Sequence, residues 1–325
     1  MENWLSRLEF EFAPVAIQAY SAGELLGWVL LFIHDGKRAE INPWALNGHP
    51  LVSQEETRSD VTSKLIKQAI TYAKRQGLTR VELSFRREKA EPAQTFRRRD
   101  ELYQSLGMEL MTETAVMRLA LAESDLDDAR IPSDYETKPL AEADKDELYS
   151  CYHKTFSTGQ DQFFFSQTEP ERRAFFNQIF DRSGPLNKQT SLILLKDLRI
   201  VGFSLVRPTH GEGNCHIWIF GIDPNHRRKG LGKSLLRLIM KRSAHEGFRT
   251  MSLACELDNL AARNLHQGQG FREEFTKVEY SWKTERFPEN WLDMSNIRRR
   301  WATGCFPICG SALKRENHLK MTPRY

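Results

Sequence analysis

A phosphate-binding turn is predicted over residues 222–232, where a buried strand runs into a helix. The segment reads Ile-Asp-Pro-Asn-His-Arg-Arg-Lys-Gly-Leu-Gly, so residues 227–229 bring three positive charges to one place. Gly230 and Gly232 have no Cβ, which lets the backbone approach an anion closely. The first amides of the following helix have no acceptor within that helix. Amides, charge and glycines together favour phosphate over other ligands.

The composition indicates a folded protein with room for two domains. The chain has 325 residues, of which 40% are hydrophobic and 10% aromatic, enough to bury substantial cores. Its longest apolar stretch, residues 25–33, is far shorter than the roughly 20 residues that a membrane-spanning helix needs. The first four residues, Met-Glu-Asn-Trp, lack the basic start of a secretion signal. We therefore expect a cytoplasmic protein.

The cysteines indicate neither a disulfide framework nor a metal site. There are five of them, an odd number scattered along a long chain, so reduced thiols are expected. Cys305 and Cys309 form a single C-x3-C pair with His318 downstream, and no clear fourth ligand for zinc follows. We expect no metal cofactor.

The net charge of +4 is concentrated at the C-terminus. Residues 284–325 contain eight Lys/Arg and four Asp/Glu, which accounts for the whole excess. This basic extension could be a solvated tail, or it could contact nucleic acid through the three arginines at 298–300. The first interpretation is favoured because three arginines form a small patch.

The second half alternates between helical and strand periodicity. In the strand over 215–222, alternation places His216, Trp218, Phe220 and Ile222 on one face and the isoleucines at 217 and 219 on the other. The further elements predicted in this half are helices at 144–156, 169–180 and 231–246, strands at 191–195, 200–207 and 250–256, a short helix from Asn259 to Gly270, and the last strands within 271–282.

The order of these elements and two short motifs resemble the GNAT superfamily of acyl-CoA-dependent N-acetyltransferases. The family's first signature, Arg/Gln-x-x-Gly-x-Gly/Ala after a central strand, matches residues 227–232. Its second, Asn-x-x-Ala followed by Gly-Phe, matches residues 259–262 and Gly270-Phe271. Two signatures in this order, about thirty residues apart, are more specific than a glycine turn alone. The resemblance covers approximately residues 134–283.

The resemblance implies a mixed α/β sheet in which the central strand diverges from the next one. Acetyl-CoA is then the co-substrate, with its pantetheine in the gap and its pyrophosphate on the amides of residues 228–233. Ordinary turn glycines are the alternative, which the adjoining charge and helix start disfavour. The coenzyme-binding residues implied are Phe220, Gly221, Ile222, Arg227, Arg228, Lys229, Gly230, Leu231, Gly232, Lys233 and Asn259.

Candidate catalytic groups follow from the same resemblance. Histone-acetylating members carry a basic glutamate eleven residues before the first Arg/Gln, where this chain has His216, a possible base or a packing residue. Many members place a tyrosine acid four residues before Gly-Phe, where this chain has His266, an acid or a plain surface histidine. Glu256 is the reserve base. Cys255 could suggest an acyl-enzyme, but a buried strand thiol is usually inert.

The first half repeats the pattern in degenerate form. Its predicted elements are strands at 25–34, 80–85 and 115–121, a helix at 63–76, and a segment at 102–106 that runs to Gly107-Met108. When Gly77 is aligned with Gly247, Thr62 of the first half stands where the second half has Gly232, and Asp60 stands where it has Gly230. A carboxylate at that position would repel a phosphate group. Residues 1–122 are therefore interpreted as a degenerate GNAT-like domain with a scaffold or substrate-shaping role. The tandem layout alone resembles that of double-domain members such as mycothiol synthase.

The domain division that we predict is a degenerate GNAT-like domain at 1–122, an acidic linker at 123–133, a catalytic domain at 134–283 and the basic extension at 284–325. The resemblance implies an acetyl-CoA-dependent N-acetyltransferase that forms a ternary complex with a primary amine of a small molecule or protein. A non-catalytic acyl-CoA-binding sensor is the alternative. A nucleic-acid-associated protein is a third interpretation, which the sequence does not favour.

Overall fold

The computed structural model describes residues 14–34, 36–42, 48–53, 58–121, 130–159, 161–165, 167–181, 189–209 and 213–284. The C-terminal extension beyond residue 284 and most of the expected linker lie outside the described residues. The expectations for the arginines at 298–300, for Cys305 and Cys309, and for His318 therefore stay predictions.

Twelve strands are present in this part of the chain. They are β1 (Val15–Ser21), β2 (Glu24–His34), β3 (Arg38–Ile41), β4 (Leu51–Val52), β5 (Arg80–Glu88), β6 (Glu109–Ala120), β7 (Glu136–Pro139), β8 (Leu192–Lys196), β9 (Arg199–Pro208), β10 (Asn214–Ile222), β11 (Thr250–Glu256) and β12 (Arg272–Lys283).

Seven α-helices accompany them. They are α1 (Arg58–Arg75), α2 (Ala93–Ser105), α3 (Lys145–Ser157), α4 (Gln162–Phe165), α5 (Glu169–Asp181), α6 (Leu231–His245) and α7 (Leu260–Gln267). None of the helices within the described ranges is long and apolar enough to cross a bilayer.

All the strands belong to one mixed sheet. Its order is β1-β2-β3-β5-β12-β6-β11-β10-β9-β8-β7, and β4 pairs with β2. β3 runs parallel to β5, and β10 runs parallel to β11, while the remaining pairs are antiparallel. Each half of the chain therefore contributes one parallel pair at corresponding places.

The last strand of each half lies in the part of the sheet that the other half builds. β6, from the first half, pairs with β11, with Glu256 opposite Thr114. β12, from the second half, pairs with β5, with Tyr280 opposite Leu83. The domain boundaries expected from the sequence stay a prediction, but the strand exchange means that the two halves depend on each other for a complete sheet.

Three apolar cores fix the layers. The first packs α1 and α2 on β2, β3 and β5, around Leu65, Phe85 and Tyr103. The second packs α6 on β10, β11 and β6, around Leu235 and Met251. The third lies on the opposite side of β8, β9 and β10, where α3 and α5 supply aromatic side chains. The second half is thus covered by helices on both faces, and α6 is held firmly beneath the central strands.

A β-bulge corrects the alternation expected in the central strand. Opposite β9, Ile217 pairs with Val206 and Ile219 pairs with Leu205, so Trp218 is an extra residue. The bulge reverses the faces that follow it. Ile217 packs in the core with α6, whereas Ile219 packs in the core with α3. The prediction that these two isoleucines share a face was wrong for this reason.

Candidate active site

The N-terminus of α6 presents a row of backbone amides without acceptors. Helix α6 begins after Gly230, which adopts the left-handed conformation with φ 79° and supplies no side-chain cap. Ser234 is the first residue of the helix whose amide donates, to the carbonyl of Gly230 at 3.0 Å. The amides of residues 228–233 donate to no acceptor in the described part of the chain. Six successive unpaired donors at a helix start form an anion site.

The charge and space at this turn fit a phosphate group. Arg228, Lys229 and Gly230 are exposed, and so is Lys233 in the first turn of the helix. Arg228 has φ 59°, a left-handed backbone that turns successive amides toward one side. A Cβ built on Gly230 would meet nothing within 4 Å, so the space beside its amide is open. The residues expected from the sequence to hold the pyrophosphate are thus brought together here.

A gap opens between β10 and β11 immediately behind this turn. The two strands pair from Asn214 with Thr250 to Ile217 with Leu253, and no pair follows although both strands continue. The divergence begins at the bulge residue Trp218. Beyond Ile217 the edge of β10 that faces β11 is therefore unpaired in the sheet, and an unpaired strand edge can bind an extended ligand.

Gly221 has a packing reason besides any ligand. A Cβ at this position would lie 2.6 Å from Thr155 Cγ2 and 2.8 Å from Phe203 Cζ. Only glycine lets α3 and β9 approach the end of β10 this closely. The third core is therefore in contact with the wall of the gap.

Arg227 holds the end of β10 rather than projecting toward the α6 amides. Its Nε donates to the carbonyl of Ile222 at 3.0 Å, and its Nη2 donates to the carbonyl of Thr155 at 2.7 Å. Burial lowers the pKa of this guanidinium, and the nearby Asp223 carboxylate opposes that shift. Arg227 thus ties the turn at residues 222–232 to the C-terminal end of α3 and so positions that turn.

His216 lies in the paired part of β10, just before the gap. Its Nδ1 is 2.9 Å from Ser252 Oγ on β11. Burial lowers the pKa of the imidazole from 6.5 to about 4, so the ring is neutral at pH 7. A neutral ring can accept a proton, but the lowered pKa makes it a weak base, so its catalytic role stays a prediction.

His266 is buried on α7 rather than exposed at the surface. It is 6% exposed, and burial lowers its pKa from 6.5 to about 4. Its Nδ1 has no hydrogen-bond partner among the described residues, and its ring packs edge-on against Phe271 with centroids 6.0 Å apart. The plain surface histidine considered from the sequence was therefore wrong. A resting imidazolium is also disfavoured here.

The other expected site residues lie at the far end of β11. Glu256 is its last residue, at the side of the gap opposite β10. Asn259 caps α7, because its Oδ1 accepts from the amide of Ala262 at 3.2 Å. Burial raises the pKa of the Cys255 thiol to about 12, so a thiolate nucleophile is disfavoured at this position.

Comparison with known families agrees with this geometry. Residues 146–271 match the sequence model of the acetyltransferase (GNAT) family. This segment is a GNAT domain. It contains β10, the turn with its unpaired amides, α6, β11 and α7, which are the elements that build the candidate site.

The curated relatives match a little over half of the chain. A mycothiol acetyltransferase of Streptomyces avermitilis is 24% identical over 180 residues, which cover 55% of this chain and 56% of the relative. A mycothiol acetyltransferase of Clavibacter sepedonicus is 24% identical over 183 residues, which cover 55% of this chain and 57% of the relative. The chain therefore spans about half the length of the curated relatives it matches.

Solved structures share the fold over most of the chain. A GCN5-related N-acetyltransferase from Sphaerobacter thermophilus superposes with a TM-score of 0.56 at 14% identity and covers 82% of this chain and 79% of its own. A tandem GNAT protein from the clavulanic acid biosynthesis pathway superposes with a TM-score of 0.54 at 16% identity, covering 85% and 84%. The fold is thus that of GNAT proteins, tandem ones included.

In the first half, the place equivalent to the gap between β10 and β11 is filled by the chain itself. Pairing between β3 and β5 ends at Ile41 with Leu83, the counterpart of Ile217 with Leu253. Just beyond it, a Cβ built on Gly48 would lie 1.5 Å from the carbonyl oxygen of Ser84. Backbone in such close contact leaves no room for a pantetheine between these strands.

His49 fixes this internal plug. Its Nδ1 is 2.7 Å from Tyr103 Oη, and its Nε2 is 3.1 Å from Arg99 Nη1. At the start of α1, Asp60 pairs with Lys64 at 2.7 Å, so a carboxylate stands where the GNAT domain has Gly230. Both features support the interpretation that the first half has lost coenzyme binding.

Sequence reasoning missed three residues near the candidate site, Trp218, Arg207 and Thr114. Trp218 at the bulge is 49% exposed, and the guanidinium of Arg207 lies 4.2 Å from its ring centroid. Arg207 Nη2 also donates to the carbonyl of Ile179 at 3.0 Å, which joins α5 to the same place. Thr114, from β6 of the first half, is the strand neighbour of Glu256. A tryptophan within the central strand was a signal that the sequence offered for Trp218. For Thr114 the sequence offered no signal, because the pairing of β6 with β11 brings it to the site.

Proposed function

We propose that this chain transfers the acetyl group of acetyl-CoA to a primary amine, by direct attack of the amine in a ternary complex. The observation that carries the proposal is the row of six unpaired amides at residues 228–233 beside the gap between β10 and β11. An anion site and an open strand edge in contact are what a pyrophosphate followed by an extended pantetheine requires. The GNAT domain match agrees with this use.

Coenzyme binding is supported by the backbone amides and the charged side chains at this turn. The amides from Arg228 to Lys233 would bind the pyrophosphate, and the charges of Arg228, Lys229 and Lys233 would add to the helix dipole. The backbone of residues 220–222 would pair with the pantetheine and polarise the acetyl carbonyl. Arg227 would hold Ile222 in place. No group of three or more His, Cys, Asp or Glu in the described part of the chain could hold a metal ion.

Proton transfer from the amine is assigned to His216, with Glu256 as the second candidate. His216 is in the base form at neutral pH because burial lowers its pKa to about 4. A weak base that is fully deprotonated can still act through a water molecule. Proton transfer from His266 to the departing CoA sulfur has less support, because burial of His266 lowers its pKa and keeps that ring neutral.

The acceptor is expected to enter the gap between Trp218 on β10 and Glu256 on β11, which pairs with β6. The relatives named mycothiol acetyltransferase suggest a small-molecule amine as the first class to try. Thr114 would give the first half a part in shaping that side of the site. This is the substrate-shaping role that we propose for the degenerate half.

A second candidate function is a non-catalytic acyl-CoA sensor. The observation that favours it is His266, a buried and neutral residue at the position where many GNAT enzymes have a tyrosine acid. A sensor would bind acetyl-CoA through the same amides and release no thiol.

The test is thiol release from acetyl-CoA in the presence of a library of primary amines, with product masses measured in parallel. We expect at least one amine to raise thiol release and to gain the mass of an acetyl group. If acetyl-CoA binds and no amine in a broad library is acetylated, the sensor is the better explanation. If acetyl-CoA does not bind, both candidate functions fail.

A further inference from the structure

A second concave site lies on the side of α3 that the proposed reaction does not use. It is a pocket of about 450 Å³ between α3, the start of β9 and the turn after β10. Helix α3 contributes Glu147, Ser150, Cys151 and Lys154, whose spacing places them on one helix face. None of residues 228–233 lines this pocket. Its lining is therefore distinct from the amides of residues 228–233, which are the proposed pyrophosphate site.

The two carboxylates in the pocket already have partners. Glu147 Oε1 accepts from the amide of Ile200 at 3.0 Å and lies 3.9 Å from Arg199 Nη1. Asp223 is 6% exposed, and its Oδ1 accepts from the amide of Asn225 at 2.9 Å. Asp223 also faces Arg227: burial lowers the pKa of that guanidinium, and the carboxylate opposes the shift. Each carboxylate thus accepts a hydrogen bond from a backbone amide and has an arginine near it.

The donors that line the pocket are not used in this way. Within the described residues, the ammonium of Lys154, the hydroxyl of Ser150 and the side-chain amide of Asn225 make no hydrogen bond or ion pair, although Lys154 interacts electrostatically with the Cys151 thiol. His226 binds Tyr135 Oη through Nδ1 at 3.2 Å, which leaves its Nε2 available. Arg199 is largely exposed beside them. The polar groups of this pocket that make no hydrogen bond within the described residues are therefore mostly donors. Among them, Lys154 on α3 carries a positive charge.

We propose that this pocket binds a small oxyanion, a phosphate or carboxylate group, held by Lys154 with Asn225 and Ser150. An oxyanion has acceptor oxygens for every one of these donors. A cation would meet Lys154 and Arg199 without a free carboxylate to bind. The pocket is also large enough for more than the oxyanion alone, so the ligand class is a small metabolite that carries such a group.

The experiment is a calorimetric titration of the full chain with inorganic phosphate and, separately, with succinate. Phosphate could also bind the amides of residues 228–233. Each titration is therefore repeated with Gly230→Glu, which places a carboxylate at those amides. Lys154→Gln removes the proposed contact. Lys67→Gln is the matched control, because Lys67 is an exposed helix lysine with no ion pair in the described part of the chain. Melting temperatures confirm that each variant is folded.

We expect Lys154→Gln to weaken binding of the preferred oxyanion about tenfold, as the loss of one charge-assisted contact would. The Lys67→Gln and Gly230→Glu variants should retain it. The comparison of phosphate with succinate identifies the preferred group. The proposal is overturned if neither anion binds, if Lys154→Gln binds as Lys67→Gln does, or if Gly230→Glu abolishes binding. These outcomes do not depend on whether the chain acetylates an amine.

Discussion

Replacing Gly230 by glutamate tests the anion site at its most exposed point. The new side chain would stand at the start of α6, where the space within 4 Å is open, so no neighbour has to move. Its carboxylate would lie about 5 Å from a bound phosphate. With an effective dielectric constant of about 40 for an exposed site, the repulsion is about 1.7 kcal/mol for each phosphate charge, or roughly 15-fold in affinity. We expect CoA affinity to fall by at least that factor.

The control for this change must reproduce its backbone strain. Gly230 has φ 79°, and a residue with a Cβ costs about 1 kcal/mol there. Gly247, which follows α6, has φ 85° and also meets nothing within 4 Å, but it lies at the opposite end of the helix. Gly247→Glu should therefore lose similar stability and bind CoA normally. Calorimetric titration with CoA measures both variants, and equal affinities would refute the assignment of the pyrophosphate to the amides of residues 228–233.

Three further predictions test the positioning residue, the buried histidines and the plug. Arg227→Lys can keep only one of the two carbonyl contacts, so CoA affinity should fall about threefold to tenfold in the same titration; an unchanged value would remove Arg227 from the positioning role. Because burial lowers the pKa of His216 and His266 from 6.5 to about 4, the unfolded chain binds more protons between these values and stability must fall as pH falls. Melting curves should show this loss, up to about 1.4 kcal/mol per pH unit and histidine, and the His216→Gln/His266→Gln double variant should lose it; equal pH dependence would contradict the burial. Gly48→Ala forces a Cβ against backbone, so it should lower the melting temperature by several degrees, whereas Gly36→Ala, at an open position with φ 66°, should lower it much less.

The local elements of the second half could be predicted well from the sequence. The strand over residues 250–256 matches β11, and the helix expected at 231–246 matches α6 within one residue. Both have a clear apolar period and are ended by glycine or a polar cap, so local physics determines them. The strand β3, by contrast, has only four residues, and β7 is equally short. Segments of this length carry too little periodicity to be recognised.

The candidate site divides in the same way. The turn at 227–232 could be predicted because glycines, basic residues and a helix start are adjacent in the chain. The role of Arg227 could not, since its partner Thr155 is 72 residues away. The bulge at Trp218 was missed because strand alternation is interrupted only by the register against β9. The lowered pKa of His216 also depends on burial, which no short motif encodes.

The amino-acid sequence by itself determined the anion-binding turn, the α/β alternation and the resemblance of the second half to GNAT proteins, because each depends on residues close together in the chain. Only the tertiary structure decided which strands pair across the two halves. It also decided that backbone at Gly48 fills the space beyond the paired part of β3 and β5, and that α3 and β9 form a donor-lined pocket. These features depend on contacts between distant segments. Such contacts arise only when the whole sheet closes and its apolar faces are buried, so local periodicity cannot specify them.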